Sequence, residues 1–236
     1  MSQPTPASGT LDGMKGTLIA VCAVGRTRYD VRHDGPTAID KRPLSGPVEI
    51  DRLGVVGDKQ YEAGHGGEDQ AVYAYDRAAA EWWAAELGRP IPPGTFGENL
   101  SVTDLAVTDA VIGERWLIGD DPDHGVVLEV TAPRTPCRTF QTWMDEPHWV
   151  KRFTARGDVG TYLRVQRAGT VQAGDPIEVL DRPSHGVTVR EVFQATGADP
   201  ARLRRLLDEG ERLHPSMVAK VCKALDRLAS TGETGS

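Results

Sequence analysis

Short apolar runs, separated by segments that contain glycine or proline, recur through the first 180 residues. Thr17–Val24, Gln70–Tyr75 and Val126–Val130 are such runs, and the whole chain contains 26 glycines and 16 prolines. Glycine and proline break both helices and strands, so each run is too short for anything but a strand. Many short strands with few helices between them are typical of a β-barrel or a strongly bent sheet. The sequence therefore predicts a mainly β domain over residues 15–182.

The pattern becomes helical after residue 182. Thr188 and Glu191 have the spacing of a capping box, Pro200 begins a second helix, and a third is predicted from Pro215 to Ala229. Cys222 has the helical spacing of a core position in the third helix. We expect residues 183–230 to form a small three-helix segment, used for docking or for dimerisation. Residues 1–14 and 231–236 are predicted to be a disordered leader and tail.

Charge and cysteine content exclude several classes of protein. A net charge of −7 and a pI near 5.4 argue against a nucleic-acid or anionic-membrane binder, and the helical segment has only a slight basic excess. Three cysteines without a CxxC pair exclude the usual cysteine-ligated zinc and iron–sulfur sites and fit a reducing compartment. With neither a signal peptide nor a membrane-spanning run, we expect a cytoplasmic protein.

One stretch carries most of the chemistry that the sequence suggests. In Thr131–Phe140, Cys137 comes just after the predicted strand Val126–Val130, prolines stiffen the connection, and Arg134 and Arg138 flank the thiol. A neighbouring guanidinium favours the thiolate, which is the form that attacks an electrophile or binds a soft metal. The alternative is a structural cysteine with arginines at the surface. From the residues alone, both interpretations stay open.

Other polar residues are weaker candidates. His65, Gly66 and Gly67 either form a small anion-binding concavity or belong to a glycine-rich hairpin with an exposed histidine. Lys41, in a polar loop, is by itself typical of a solvated side chain. Asn99 can cap, turn the chain or hold a ligand.

Two further features are expected to be structural. Cys22 lies inside a predicted strand and is expected in the core. The acidic run Asp120–His124 lacks the ligand pattern of a calcium loop and is predicted to be a hairpin turn.

Several motifs together resemble a known family. HGGEDQAVYAY (residues 65–75), FGENLS (residues 96–101) and TAPRTPC (residues 131–137) occur in the order and approximate spacing of MOSC proteins. These are stand-alone relatives of the C-terminal domain of molybdenum cofactor sulfurase. The helical tail is similar to the three-helix segment that follows the MOSC domain in one bacterial subgroup.

The resemblance implies a fold, a cofactor and a set of site residues. The fold would be a MOSC-type β-barrel, and Cys137 would bind the molybdenum of a pterin-based molybdenum cofactor. The reaction would reduce N-hydroxylated compounds, such as hydroxylaminopurines and amidoximes, to amines. Electrons would come from a separate flavoprotein or iron–sulfur protein, and the chain could form a homodimer. The remaining residues implied around the cofactor are Lys41, His65, Gly66, Gly67, Asn99, Arg134 and Thr135, with His65 also a candidate proton donor.

Two other functions are compatible with the same residues. Cys137 could carry sulfur as a persulfide, or the protein could hold the cofactor without redox turnover. A regulatory module that binds a phosphate-containing ligand in the barrel is the third possibility.

Overall fold

The computed structural model describes residues 14–30, 34–59, 61, 66–194, 200–208 and 215–232. In these ranges the strands are β1 Lys15–Val24, β2 Arg28–Asp30, β3 Gly35–Thr37, β4 Lys41–Pro43, β5 Val48–Asp51, β6 Gly54–Val55, β7 Val72–Asp76, β8 Leu100–Thr103, β9 Arg115–Ile118, β10 Val126–Pro133, β11 Thr161–Arg167, β12 Gly169–Val171 and β13 Pro176–Asp181. The α-helices are α1 Arg77–Leu87, α2 Arg138–Met144, α3 Trp149–Arg156, α4 Val189–Gln194, α5 Pro200–Leu207 and α6 Pro215–Gly232. None of the helices in these ranges is long and apolar enough to cross a membrane.

Seven strands close into a barrel, which confirms the predicted fold class. Their order is β13-β9-β10-β11-β7-β8-β1, and β1 pairs again with β13 to complete the ring. All neighbours are antiparallel except β7 and β8. Strand β1 pairs with β13, β8 and β4 along its length, and its register with β8 shifts between Leu18 and Ala20. Such an irregularity bends a strand and lets it serve several partners.

Strand β7 separates two apolar clusters because its side chains alternate between them. Val72 and Ala74 belong to the cluster inside the barrel, whereas Tyr73 and Tyr75 belong to an aromatic cluster beneath α1, α2 and α3. The rings of Trp83 and the other aromatic residues in this second cluster lie mostly edge to face. The run Val72–Tyr75 is therefore buried on both faces.

Helix α1 has the boundaries that its sequence predicts. The Asp76 carboxylate accepts the backbone N–H of Ala78 at 2.8 Å, and Gly88 ends the helix in the left-handed conformation. Of the two adjacent tryptophans in α1, Trp83 is buried, whereas Trp82 is 41% exposed.

The three helices after the barrel are joined to it by backbone and apolar contacts. The predicted capping box forms, since Thr188 N donates to Glu191 and Glu191 N donates back to Thr188 Oγ1. Val189 N donates to Ala110 O, and Leu206 of α5 packs in the same apolar cluster as the barrel interior. The division into two domains at residue 182 stays a prediction.

Some local predictions are wrong or incomplete. Cys222 is exposed rather than in the core, because Val221 and Ala224 face inward instead. The apolar pattern of residues 111–118 predicts two strands around a turn, but only β9 is regular, and Val111 makes an isolated bridge to Thr188.

The predicted termini differ slightly from the structure. Met14, placed in the leader, packs against the core, and α6 extends to Gly232, two residues into the predicted tail. Residues 1–13 and 233–236 lie outside the described residues. The acidic run forms the predicted turn between β9 and β10, where Asp121 bonds the ring of His124 at 2.8 Å.

Candidate functional site

An open pocket with a volume of about 130 Å³ lies where the end of β10 approaches the segment before β4. Three cationic residues and no carboxylate are among the described residues that line it, although the whole chain carries a net charge of −7. The cations are Lys41, Lys59 and Arg134. This local excess of positive charge favours an anionic ligand.

The connection from β10 to α2 brings a thiol to this pocket. Proline at positions 133 and 136 restricts the backbone, and Cys137, half-buried, precedes the first residue of α2. Thr135 from the same connection and Thr139 from the first turn of α2 also line the pocket. The Oγ1 atom of Thr139 is buried and has no hydrogen-bond partner among the described residues. The connection and the start of α2 therefore present a thiol and a hydroxyl to one space.

Arg134 is buried without a counter-ion in the described part of the chain. The residue is 6% exposed, and its guanidinium carbon lies 3.9 Å from the centre of the Phe140 ring. Its Nη1 atom is buried and has no hydrogen-bond partner there. A guanidinium only donates hydrogen bonds, and an unpaired buried charge is costly. The position of Arg134 is therefore best explained by an anion that binds in the pocket.

Lys41, in contrast, has a carboxylate partner. Its Nζ lies 2.5 Å from Asp58 Oδ2, and both side chains are largely buried. Asn99 Nδ2 donates to the same Oδ2 atom at 2.7 Å. Both Lys41 and Asn99 line the pocket, whereas Asp58 lies behind them and is not part of its wall.

Six of the eight residues expected around the site line the pocket: Lys41, Gly66, Asn99, Arg134, Thr135 and Cys137. Gly67 does not line it, because it lies one residue further along, where it begins the short 3-10 helix Glu68–Gln70. His65 lies outside the described residues, so its role stays a prediction. The choice between an anion concavity and a simple hairpin at this glycine-rich turn stays open as well.

Sequence reasoning missed several residues of the site. Lys59, Tyr61 and the buried Asp58 appear in no stretch quoted above, although Asp58 and Lys59 follow a glycine that ends a short extended run. Thr139 lies in the quoted stretch Thr131–Phe140 but was not singled out there. Thr139 is two residues after Cys137, and an α2 helix beginning at Arg138 would have placed it on the inner side. No sequence signal pairs Asp58 with Lys41, because 17 residues separate them.

Cys22 is near this network but is not a reactive thiol. It is fully buried in β1, as expected, and its carbonyl oxygen accepts Asn99 Nδ2 at 3.1 Å. Burial, together with the nearby Glu98 carboxylate, raises the pKa of the Cys22 thiol to about 12. Among the three free cysteines, Cys137 is therefore the one that combines access to the pocket with nearby cations.

Comparisons with known proteins indicate the family of this chain. The family model described as "MOSC domain" matches residues 62–178. A protein named "Reductase" from Gibberella moniliformis is 34% identical over 235 residues, 98% of this chain, but the chain spans only 39% of its length. The protein YflK of Bacillus subtilis is 32% identical over 196 residues, which are 81% of this chain and 86% of YflK.

A solved structure supports the fold. The crystal structure of YiiM from Geobacillus stearothermophilus superimposes with a TM-score of 0.70 at 22% identity, covering 89% of this chain and 99% of that one. At that identity the likeness concerns the fold alone. The family-model match and the coverage of YflK together show that this chain belongs to the MOSC domain family.

Proposed function

We propose that this protein is a molybdenum-cofactor-dependent oxidoreductase that reduces N-hydroxylated compounds, such as hydroxylaminopurines and amidoximes, to amines. The observation that carries the proposal is the shared pocket, which Cys137 lines together with three cationic residues and no described carboxylate. In balanced form, R–NHOH takes up two electrons and two protons and yields R–NH2 and water. The electrons would come from a separate flavoprotein or iron–sulfur protein.

The residues present fit such a cofactor. Its molybdenum, which also carries dithiolene sulfurs, suits a soft thiolate ligand, and its phosphate suits cationic donors. Cys137 would hold the metal, while Arg134 and Lys41 would hold anionic groups, with Lys59 and Thr135 beside them. The unpartnered Nη1 of Arg134 is the feature that most needs such a ligand. When bound, the cofactor would supply the two-electron redox chemistry, and the protein would orient the substrate.

The proposed reaction also needs a residue that donates protons. Tyr73 lines the pocket, but its hydroxyl donates to Val159 O at 2.9 Å, and burial raises its pKa well above the usual value. Tyr73 is therefore unsuited to deliver protons. We retain His65 as the proposed donor, because Gly66 beside it lines the pocket and imidazole titrates near neutral pH.

The name of the fungal relative supports a reductive reaction, although this chain corresponds to 39% of that protein. The three free cysteines fit a reducing compartment, for which we propose the cytoplasm.

The decisive experiment is elemental analysis of protein produced in a host that makes the cofactor. We expect near-stoichiometric molybdenum in the parent and in Cys222→Ala, and little in Cys137→Ala, because only Cys137 faces the pocket. An assay of N-hydroxylamine reduction with an artificial electron donor would then test the reaction. Parent protein without molybdenum, from a host shown to make the cofactor, would refute the proposal and favour a persulfide carrier.

A further inference from the structure

The Lys41 ammonium is held by a buried group that is not itself in the wall of the pocket. Asp58 Oδ2 accepts Lys41 Nζ at 2.5 Å, and Asp58 Oδ1 accepts the backbone N–H of Val24 at 2.9 Å. The exposed fractions of the Lys41 and Asp58 side chains are 10% and 6%. An ion pair this far from solvent is weakly screened, and its geometry is well defined.

Asn99 completes the arrangement with its whole amide group. Its Nδ2 donates to Asp58 Oδ2 at 2.7 Å and to the carbonyl of Cys22 at 3.1 Å, and its Oδ1 accepts Tyr73 N at 3.1 Å. An amide nitrogen has two hydrogens, and both are used here. Asn99 therefore has no N–H left for a ligand, even though it lines the pocket.

We propose that Asp58 is a positioning residue that fixes Lys41 for the anionic ligand, and that Asn99 acts through Asp58 rather than on the ligand. This inference rests on the proposed function, because the ligand of Lys41 is taken to be an anionic group of the cofactor. An ammonium has three donors, so the bond to Asp58 leaves two for the pocket.

The two buried cations of the pocket need different supports. The guanidinium of Arg134 is planar and is held by packing on Phe140. The ammonium of Lys41 is at the end of a flexible four-carbon chain, and ordering that chain during binding would cost conformational entropy. The ion pair with Asp58 orders Lys41 beforehand.

The test compares Asp58→Asn with a matched control, Glu114→Gln. Glu114 is also buried and also accepts one backbone N–H, one side-chain N–H and one cation, namely Val111 N at 3.1 Å, Trp116 Nε1 at 2.7 Å and Arg182 Nε at 2.6 Å. It does not line the pocket. Each variant thus loses one buried charge with the same kinds of partner.

Two readouts are needed. The first is molybdenum per chain in protein from a cofactor-making host. The second is the ¹H–¹⁵N signal of the Lys41 ammonium in cofactor-free protein at low temperature, assigned with Lys41→Arg. A stable ion pair slows hydrogen exchange of the ammonium enough for detection. Asn99→Ser is included, because loss of its support should weaken the same signal.

We expect Asp58→Asn to lower molybdenum content about tenfold or more, in the range found for residues that orient a ligand, and to abolish the Lys41 signal. Glu114→Gln should keep both near parent values. Equal losses in the two variants would show that Asp58 only stabilises the fold, and a preserved Lys41 signal in Asp58→Asn would overturn the inference. A metal-free parent would instead count against the proposed function, since the ammonium signal is read without the cofactor.

Discussion

At the residue scale, the two buried cations of the pocket differ in what they contribute to stability. Lys41 is paired with Asp58, whereas Arg134 is buried without a described counter-ion. An uncompensated buried charge is unfavourable for folding and is retained where a function requires it. Arg134 should therefore matter for binding and not for the stability of the empty protein.

Arg134→Met tests this difference. We expect the free energy of unfolding of cofactor-free protein to be unchanged or higher by up to about 2 kcal/mol, because a methionine packs on Phe140 without a charge. Molybdenum content should fall at least tenfold. Chemical denaturation and elemental analysis give the two values, and a destabilised cofactor-free protein would contradict the prediction.

The three cysteines should differ in reactivity because they differ in burial. Cys22 is fully buried, and burial is the main cause that raises its pKa to about 12, whereas Cys137 is half-buried and Cys222 is exposed. The thiolate is the reactive form, so we expect two thiols per chain to react with a disulfide reagent in the native protein and three after unfolding. In the native state, Cys137→Ala and Cys222→Ala should each have one thiol per chain that reacts. Reaction of three thiols in the folded parent would show that the β1 core opens readily.

At the element scale, the pocket depends on loops that approach one another closely. The loop between α1 and β8 contains Gly94, at φ 86°, and a β-carbon there would lie 2.6 Å from the carbonyl oxygen of Lys41. The neighbouring Glu98 carboxylate accepts the backbone N–H of Gly94 at 2.7 Å and of Phe96 at 3.0 Å, which stabilises this loop. Glycine at position 94 therefore lets the loop lie against the backbone of β4.

Gly94→Ala should consequently disturb Lys41. Gly46 is the matched control, because its φ of 73° is also left-handed but a β-carbon there would meet nothing within 4 Å. In both variants the free energy of unfolding should fall by about 1–2 kcal/mol, because alanine is strained in the left-handed backbone conformation. In Gly94→Ala alone it should fall further, and the molybdenum content should fall as well. If the Gly94 and Gly46 variants showed the same free energy of unfolding and the same molybdenum content, the close approach of Gly94 to the Lys41 carbonyl would be unimportant.

At the scale of the whole molecule, the helices after the barrel and the barrel itself share one apolar cluster. Arg190 of α4 adds a polar connection, with bonds of 2.6 and 3.1 Å to Asp109 and 2.7 Å to Asp158. Hydrogen bonds between charged groups contribute more than neutral ones, although partial exposure reduces their value. The barrel and α4 should therefore unfold together.

Arg190→Met should lower the free energy of unfolding by about 1–2 kcal/mol while the transition stays single. Tryptophan fluorescence and far-ultraviolet circular dichroism would follow it, since Trp116 and Trp149 are buried in the two different clusters. Two separate transitions in the parent or the variant would show that the barrel and the helices are independent. Arg190→Met is also a control for Arg134→Met, because Arg190 is bound to carboxylates and Arg134 has no described counter-ion.

Local sequence patterns determined the fold class, the limits of one helix and the main candidate site residue. Glycine and proline spacing predicted the barrel, Asp76 and Gly88 predicted the limits of α1, and the arginine-flanked setting of Cys137 made its thiol a candidate. These signals depend on residues close in sequence, so they can be recognised without the fold. The family motifs contain nine of the 18 described residues that line the pocket.

Tertiary structure alone decided the partners. Asp58 meets Lys41 and Asn99 across 17 and 41 residues, and no spacing rule connects them. Which face of α6 is buried was also decided by packing, so Cys222 points outward despite its helical spacing. The closed ring of strands brings these distant segments together, because contacts across a barrel depend on register and closure, which no short stretch of sequence specifies.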